Sequence, residues 1–271
     1  MKKKKDYTTL ILVLMLLVGL SLLLYPAFSD YWNSFHQSQA ITDYVENIET
    51  LEKEDYTKYW EDAIKYNEKL INQQKFVLTP EEKIQYESLL NLSSVGVMGY
   101  VEVPKIKTTL PIYHGTDENV LQVAIGHIEW TSLPTGGEST HCVLSGHRGL
   151  PSAKLFSDLD KLEEGDLFML RVLDEVLTYQ VDQILIVEPH VVDSLMIEEG
   201  KDFVTLVTCT PYGVNSHRLL VRGYRVDNIE ESKKIHVTSD AIEIEPLIVA
   251  SIIACPIFLI LLMIVMLPKR K

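Results

Sequence analysis

Apolar residues are concentrated in two long runs, one near each end of the chain. The first run extends from Leu10 to Phe28 and the second from Leu247 to Leu267. At a rise of about 1.5 Å per helical residue the first run spans about 28 Å, close to the hydrocarbon thickness of a bilayer. Basic residues flank the outer end of each run, Lys2 to Lys5 and Lys269 to Lys271. The pattern predicts two transmembrane helices, with both termini in the cytoplasm and the intervening residues outside the cell.

The first run also has features of a cleaved signal peptide, because a positive segment precedes a leucine-rich stretch. Its cleavage motif of small residues, Ala27-Phe28-Ser29, is weak, which favours a retained anchor. Either way the following domain faces outward from the cell membrane. The chain then divides into a cytoplasmic tail (1–9), an anchor (10–28), a helical segment (29–95), a strand-rich domain (96–228), a linker (229–246), a second membrane helix (247–267) and a second cytoplasmic tail (268–271).

The helical segment contains two helix signals. From about Ser38 to Gln74 many apolar residues recur at spacings of three or four, which predicts an amphipathic helix. Thr79 is followed by Pro80 and two glutamates, the signature of a helix N-terminus, and this second helix should run to about Leu90. Both helices are expected to pack against the domain that follows.

Short strand-like segments separated by glycine and proline turns occupy the next part of the chain. We predict strands at Tyr100–Val103, Leu110–Tyr113, Cys142–Ser145, Leu167–Val172, Leu177–Val187, Phe203–Thr208 and Arg218–Val226. Short strands with regular turn signals indicate a mainly β protein with a closed or nearly closed barrel. Short helices are predicted at Asn119–Ala124 and Ala153–Leu159.

Charge and cysteine content narrow the possible partners. The chain carries −13 overall, and its tails hold seven of the 25 basic residues and one acid, which leaves 18 basic and 37 acidic residues, or −19, between them. This domain would repel nucleic acid and attract cationic partners such as a lysine-presenting protein, although a plain solvated surface is the simpler interpretation. Cys142 is expected in the core and Cys255 in the membrane, and a Cys142–Cys209 disulfide is a less favoured alternative. The motifs predict neither a cofactor nor a metal.

One segment indicates nucleophilic chemistry. Cys209 ends the strand-like run Phe203–Thr208, and Arg218 opens the next run nine positions later. Positive charge favours the thiolate, which is the nucleophilic form of cysteine, and arginine can also stabilise an oxyanion. A proton-transfer group is still required. His147 follows a strand and precedes a glycine-containing loop, while His141 and His217 are its rivals, and the residues alone leave this choice open.

Three segments carry a resemblance to a known family. They are GYVEVPKIKTTLPIYHGT from Gly99, LSGHRGLPSAKLFSDLDKLEEGD around His147, and TLVTCTPYGVNSHRLLVRGYR around Cys209. They closely resemble the sortases, and most of all the class C, pilin-polymerising sortases of Gram-positive bacteria, from about Gly99 to Val226. The resemblance implies an eight-stranded sortase barrel in which Cys209 is the nucleophile, His147 the general acid and base, and Arg218 the transition-state stabiliser.

The resemblance also implies the substrates. An LPXTG-like sorting signal would be cleaved between Thr and Gly, and its acyl group would pass from the enzyme to a lysine of another pilin subunit. Four residues near the cysteine are candidates for substrate binding: Thr208, Thr210, Tyr212 and Asn215. Alternatives are a housekeeping sortase that anchors surface proteins to cell-wall peptidoglycan, a non-catalytic scaffold for pilus assembly, and a plain cysteine protease. The C-terminal membrane segment and the motif Pro211-Tyr212-Gly213 argue against the housekeeping type.

The chain departs from the class C pattern at the lid. Many class C sortases cover the active site with an Asp-Pro-aromatic motif, but the corresponding stretch from Asn72 to Leu92, NQQKFVLTPEEKIQYESLLNL, contains none. We therefore predict a missing or altered lid. Phe76 or Tyr86 could plug the cleft instead, but packing of these aromatic residues within the helical segment is the favoured interpretation.

Overall fold

The computed structural model describes residues 8–51, 53–72, 76–92 and 96–228. Three helices precede the strand-rich domain: α1 (Thr8–Thr50), α2 (Lys53–Asn72) and α3 (Pro80–Ser88). The predicted linker 229–246, the second membrane run 247–267 and the tail 268–271 lie outside the described residues, as does most of the first tail.

Helix α1 continues without a break from the apolar run into the amphipathic segment. The boundary predicted at residue 28 therefore falls inside one helix of 43 residues, and the helix predicted from Ser38 to Gln74 is divided between α1 and α2. Within the described residues, α1 is the one helix long and apolar enough to cross a membrane by length and composition, and its most apolar stretch is not buried in the protein.

The distal half of α1 is fixed to the barrel by Tyr44. Its ring is 1% exposed, and its hydroxyl donates to the Met98 carbonyl (2.9 Å) and accepts from the Leu173 N–H (2.8 Å). One buried side chain thus joins the helix to two separate parts of the strand-rich domain.

Helix α3 begins where its capping signals predict. The Thr79 hydroxyl accepts from the Glu82 N–H (3.3 Å), and the Glu82 carboxylate accepts from the Thr79 N–H (2.9 Å), which completes a capping box. Pro80 occupies the first helical position, where a missing N–H leaves no hydrogen bond unmade. The helix ends at Ser88, two residues before the predicted end.

Eight strands form a closed barrel, which confirms the predicted eight-stranded barrel. They are β1 (Val97–Val103), β2 (Thr108–His114), β3 (Ile125–His127), β4 (Thr140–Ser145), β5 (Leu167–Val172), β6 (Glu175–Val187), β7 (Asp202–Thr210) and β8 (His217–Val226). Their order around the barrel is β1-β2-β3-β4-β7-β8-β6-β5, and β5 closes it against β1. The pairs β2–β3 and β4–β7 are parallel, and the others are antiparallel.

The two short predicted helices have different outcomes. The first is present as α4 (Glu118–Leu121), but the prediction of a helix at Ala153–Leu159 is wrong. This segment consists mostly of turns and ends in a 3-10 turn at Leu159–Lys161. Leu155 has a φ of 40°, outside the right-handed helical region, and the side chains of both Leu155 and Phe156 are buried in the core.

Alternation along the strands separates two apolar clusters. Val204 and Leu206 of β7 point into the barrel and belong to the main core. A second cluster, which we call the outer patch, comprises Val143, Leu195, Val207 and Leu220. Because successive strand side chains alternate between faces, residue 209 lies on the same face as Val207. The Cys209 side chain therefore belongs to the outer face of the barrel, next to the outer patch.

Candidate active site

Cys209 and Arg218 are cross-strand partners. In the antiparallel pair β7–β8 their Cα atoms lie opposite each other, so both side chains project from the same face. The Arg218 Nη1 donates to the carbonyl oxygens of Asn215 (3.2 Å) and His217 (3.1 Å). These bonds hold the guanidinium at the β7–β8 turn, beside the cysteine. Among the residues that the structure describes, no acceptor contacts its other N–H groups, which can therefore bind a ligand oxygen.

The parallel pair β4–β7 brings His147 to the same end of the barrel. Ser145 is in register with Val207, and the Gly146 N–H continues the ladder by donating to the Val207 carbonyl (3.0 Å). His147 and Cys209 each lie two residues beyond that register pair; Cys209 is still on β7, and His147 follows the end of β4, the strand about 4.8 Å from it. The predicted imidazole, thiol and guanidinium therefore come from three neighbouring segments. Within the described part of the chain, no hydrogen bond joins the His147 ring to the Cys209 sulfur.

The two rival histidines have other positions. His141 is fully buried, with Nδ1 2.9 Å from the Met196 carbonyl oxygen and Nε2 2.8 Å from the Thr205 hydroxyl. Burial lowers the pKa of this imidazole, so it stays neutral, with both ring nitrogens engaged. His217 is adjacent to Arg218 and therefore projects from the opposite face of β8. Of the three histidines, His147 has the position that suits proton exchange with Cys209.

The four candidate substrate-binding residues fall into two groups. Thr208 is 1% exposed and Thr210 is 8% exposed, whereas Tyr212 and Asn215 lie in the open loop between β7 and β8. The Thr208 hydroxyl donates to the Gly146 carbonyl (2.8 Å), which lies one residue before His147. Tyr212 and Asn215 are thus accessible to a substrate, while Thr208 supports the backbone that carries the histidine.

A contact between two loops was not anticipated from the sequence. The Tyr212 ring packs over Gly149, so closely that an added Cβ at residue 149 would lie 2.8 Å from a ring carbon. The Arg148 guanidinium lies 5.9 Å from the centre of the same ring and forms an ion pair with Asp160. Tyr212 therefore joins the loop that follows His147 to the loop that follows Cys209, and it helps to fix their spacing.

The two free cysteines differ in accessibility. Cys142 is 2% exposed and packs in the main core, as predicted, while Cys209 is half-buried, and no disulfide joins them. Burial raises the pKa of the Cys142 thiol well above its ordinary value, which keeps it protonated and unreactive. The accessible thiol of this pair is the one beside Arg218.

The two aromatic residues of the lid region, Tyr86 and Phe76, differ in burial. Tyr86 is fully buried, its hydroxyl lies 2.9 Å from His127 Nδ1, and it accepts from the Gly115 N–H (2.9 Å). It is a core residue, which agrees with the packing interpretation and not with a plug. Phe76 is 53% exposed and makes an edge contact with Trp130, whose indole packs against the outer patch.

The barrel agrees with comparisons to known proteins. The sortase domain model matches residues 101–226. Sortase C1 of Streptococcus agalactiae is 53% identical, with a TM-score of 0.69, over 70% of this chain and 100% of that one. Sortase C of Streptococcus pneumoniae is 44% identical, with a TM-score of 0.64, over 70% and 97% of the two chains.

Relatives found by sequence alone are more distant. Sortase D of Bacillus subtilis is 32% identical over 47% of this chain and 63% of its own length. Sortase A of Bacillus anthracis is 26% identical over 82% of this chain and 96% of its own length. The closed eight-stranded barrel, the cysteine–arginine pair and the match along the full length of a sortase C structure lead to one conclusion: the chain belongs to the sortase family, with the sortase C proteins among its near relatives.

Proposed function

We propose that the protein is a class C sortase, a cysteine transpeptidase that cleaves an LPXTG-like sorting signal and transfers its acyl group to a pilin lysine. The observation that carries this proposal is the Cys209–Arg218 cross-strand pair, with His147 two residues beyond the end of the adjoining parallel strand. Similarity supports class C, because sortase C structures are 41–53% identical whereas sortase A relatives are 24–27% identical. The housekeeping alternative has correspondingly less support.

The first half-reaction forms a thioester. The Cys209 thiolate attacks the carbonyl carbon of the Thr–Gly bond, and N–H groups of Arg218 bind the oxyanion that develops. The His147 imidazolium gives its proton to the leaving amine as the C–N bond breaks. The carboxyl-terminal part of the signal leaves as a free amine, and the acyl group stays on sulfur.

The second half-reaction transfers the acyl group. The neutral side-chain amine of a pilin lysine attacks the thioester carbon, and His147, now neutral, accepts the proton that the amine loses. The C–S bond breaks and the electron pair returns to sulfur, which restores the thiolate and the imidazolium. The product is an isopeptide bond, and no external oxidant or cofactor enters the balance.

The open loop between β7 and β8 is the accessible surface next to the cysteine. Tyr212 and Asn215 are exposed there and are the candidates for contacts with the sorting signal. The outer patch is buried, with Ile128, Trp130, Leu185 and Val187 packed against it, so it supports the floor of the site and does not contact the peptide.

Membrane attachment accords with the same function. The apolar part of α1 would anchor the chain, and a second helix at 247–267 would place both termini in the cytoplasm. The barrel would then face the cell exterior, where pilin subunits carrying sorting signals are assembled.

Mass spectrometry of the acyl adduct tests the proposal. The full-length protein is incubated with a sorting-signal peptide without an acceptor amine, and a thioester on Cys209 with release of the residues after Thr is expected. Cys209→Ala should form no adduct, and Cys142→Ala should form it normally because Cys142 is buried. Adduct formation by Cys209→Ala would refute the assignment of the nucleophile.

A competition between amine acceptors tests the class. A pilin domain that contains the acceptor lysine is compared with a peptidoglycan-derived amine at equal concentration. The class C proposal expects the pilin lysine to be the preferred acceptor. Preference for the peptidoglycan amine would support the housekeeping alternative instead, while leaving the thioester chemistry intact.

A further inference from the structure

Two hydrogen bonds attach the loop after His147 to α1. The Asp30 carboxylate accepts from the Lys154 N–H (2.6 Å), and the Asn33 side chain donates to the Ser152 carbonyl (2.7 Å). Asp30 and Asn33 lie only two and five residues beyond Phe28, the end of the apolar run, or about 3 and 8 Å along the helix axis. The headgroup layer on each side of a bilayer is about 5–7 Å thick. If α1 anchors the chain as proposed, this loop lies at the height of the lipid headgroups.

The aromatic residues of α1 indicate the same height independently. Five exposed aromatic side chains occur between residues 25 and 35: Tyr25, Phe28, Tyr31, Trp32 and Phe35. Tyrosine and tryptophan are enriched where membrane helices cross the lipid–water interface. This aromatic belt brackets Asp30 and Asn33, so the interface and the attachment point of the loop coincide.

The direction of α1 shows which end of the barrel faces the membrane. Asp30 contacts the loop after β4, whereas Tyr44, about 21 Å further along the helix, contacts Met98 of β1. The carboxyl end of β4 is therefore the membrane-proximal end of that strand. Because β7 runs parallel to β4, Cys209 lies at this end as well.

Exposed apolar side chains lie at that end of the barrel. Tyr212 and Val214, in the β7–β8 loop, are 64% and 70% exposed. Ile186, near the same end of β6 but on the face opposite Arg218, is 65% exposed. The part of the chain between the tails is strongly acidic, so electrostatic attraction to anionic lipid cannot hold the barrel on the membrane. The free energy of any such contact must come from the exposed apolar side chains. Amphipathic and apolar side chains at an interface gain free energy by entering the headgroup region.

We infer that the active-site end of the barrel rests on the lipid headgroup layer, with Tyr212 and Val214 as its contact residues. Cys209 then meets sorting signals at the membrane surface, where a substrate that is still inserted in the bilayer presents them. The inference rests on the proposed anchoring by α1, and the lipid contact does not require that the acyl-transfer chemistry be correct.

Depth-dependent quenching tests the lipid contact without any enzymatic readout. The full-length Cys209→Ala, Cys255→Ala protein is placed in phosphatidylcholine–phosphatidylglycerol vesicles, and a single fluorophore is attached through Val214→Cys. A label at Glu138→Cys, exposed before the distal end of β4, is the matched control. Quenching by headgroup-labelled lipid should be several-fold stronger at position 214 than at position 138. Equal quenching at the two positions would overturn the inference.

An insertion in α1 tests the functional consequence. Seven helical residues placed between Phe28 and Asp30 raise the barrel by about 10 Å and nearly preserve the helix phase, while the contacts of Asp30 and Asn33 stay intact. The rate on a soluble sorting-signal peptide should not change. The rate on the same signal anchored in the vesicle should fall about tenfold, because the local concentration of substrate at the site is lost. An equal rate on the anchored signal would overturn the inference, and failure on both substrates in the unmodified protein would instead refute the proposed function.

Discussion

Thr208→Val isolates the contact that supports His147 from β7. The Thr208 hydroxyl is buried and donates to the Gly146 carbonyl at 2.8 Å, and valine preserves the shape while removing the donor. Loss of a neutral hydrogen bond costs about 1 kcal/mol, and the buried carbonyl left without its partner adds about 1 kcal/mol more. We therefore expect a loss of about 2 kcal/mol in the free energy of unfolding. If the misplaced His147 backbone raises the activation free energy of the chemical step by about 1.4 kcal/mol of this amount, kcat falls about tenfold.

Thr140→Val is the matched control for stability. Its hydroxyl is partly buried and donates to a glycine carbonyl, that of the exposed Gly137, at 2.7 Å, at the opposite end of β4. The thermal midpoint of the full-length protein in detergent should fall in both variants, and by less in Thr140→Val because water can bind the exposed carbonyl. Only Thr208→Val should reduce kcat on a fluorogenic sorting-signal peptide, and Thr208→Ser should retain most of the activity because it keeps the donor.

The kinetic constant that changes distinguishes positioning from substrate binding. A hydroxyl that contacts the peptide would raise KM when removed, whereas a hydroxyl that orients the His147 backbone would lower kcat. A Thr208→Val enzyme that is destabilised at least as much as Thr140→Val, yet turns over within twofold of the unmodified protein, would refute the positioning argument.

Two further predictions concern pH and loop packing. Burial lowers the pKa of His127 from 6.5 to about 4, so its contribution to stability is complete above pH 6.5 and is lost as the pH falls toward 4, by about 3 kcal/mol. The thermal midpoint should fall over this range, and less steeply in His127→Gln; identical slopes would contradict the assignment. Gly149→Ala should lower activity several-fold because its Cβ would collide with Tyr212, whereas Gly200→Ala, at a similar positive φ but with open space around the new Cβ, should change stability alone. Equal activities of these two variants would argue against a role for the loop contact.

Local patterns predicted most of the secondary structure. Seven of the eight strands were anticipated, and the capping box at Thr79 located the start of α3 correctly. The strand that was missed, β3 (Ile125–His127), has only three residues, too few to show alternation, and its register comes entirely from its neighbours. The break between α1 and α2 was also missed, although the apolar spacing widens to five residues there, between Leu51 and Tyr56.

One part of the site is formed by residues that are close in sequence, and the other part by residues that are far apart in sequence. Cys209 and Arg218 lie on a hairpin, so a separation of nine residues was enough to predict that they would be neighbours. The choice of His147 over His141 depended on the parallel pairing of β4 with β7, which no local pattern encodes. The same pairing gives Thr208 its partner Gly146, which is why the sequence suggested a substrate contact there instead of an internal hydrogen bond.

The long separation between β4 and β7 has a consequence for the order in which the site assembles. The hairpin β7–β8 can form early because its strands are adjacent in the chain, but the bond from Thr208 to Gly146 closes a loop of 62 residues. Contacts of such high sequence separation form late, since the chain entropy must be lost before they are gained. A newly exported chain would thus carry its thiol beside the guanidinium while the imidazole is still elsewhere. The histidine would reach the cysteine only when the barrel closes, so an unfolded precursor would not cleave or acylate neighbouring polypeptides.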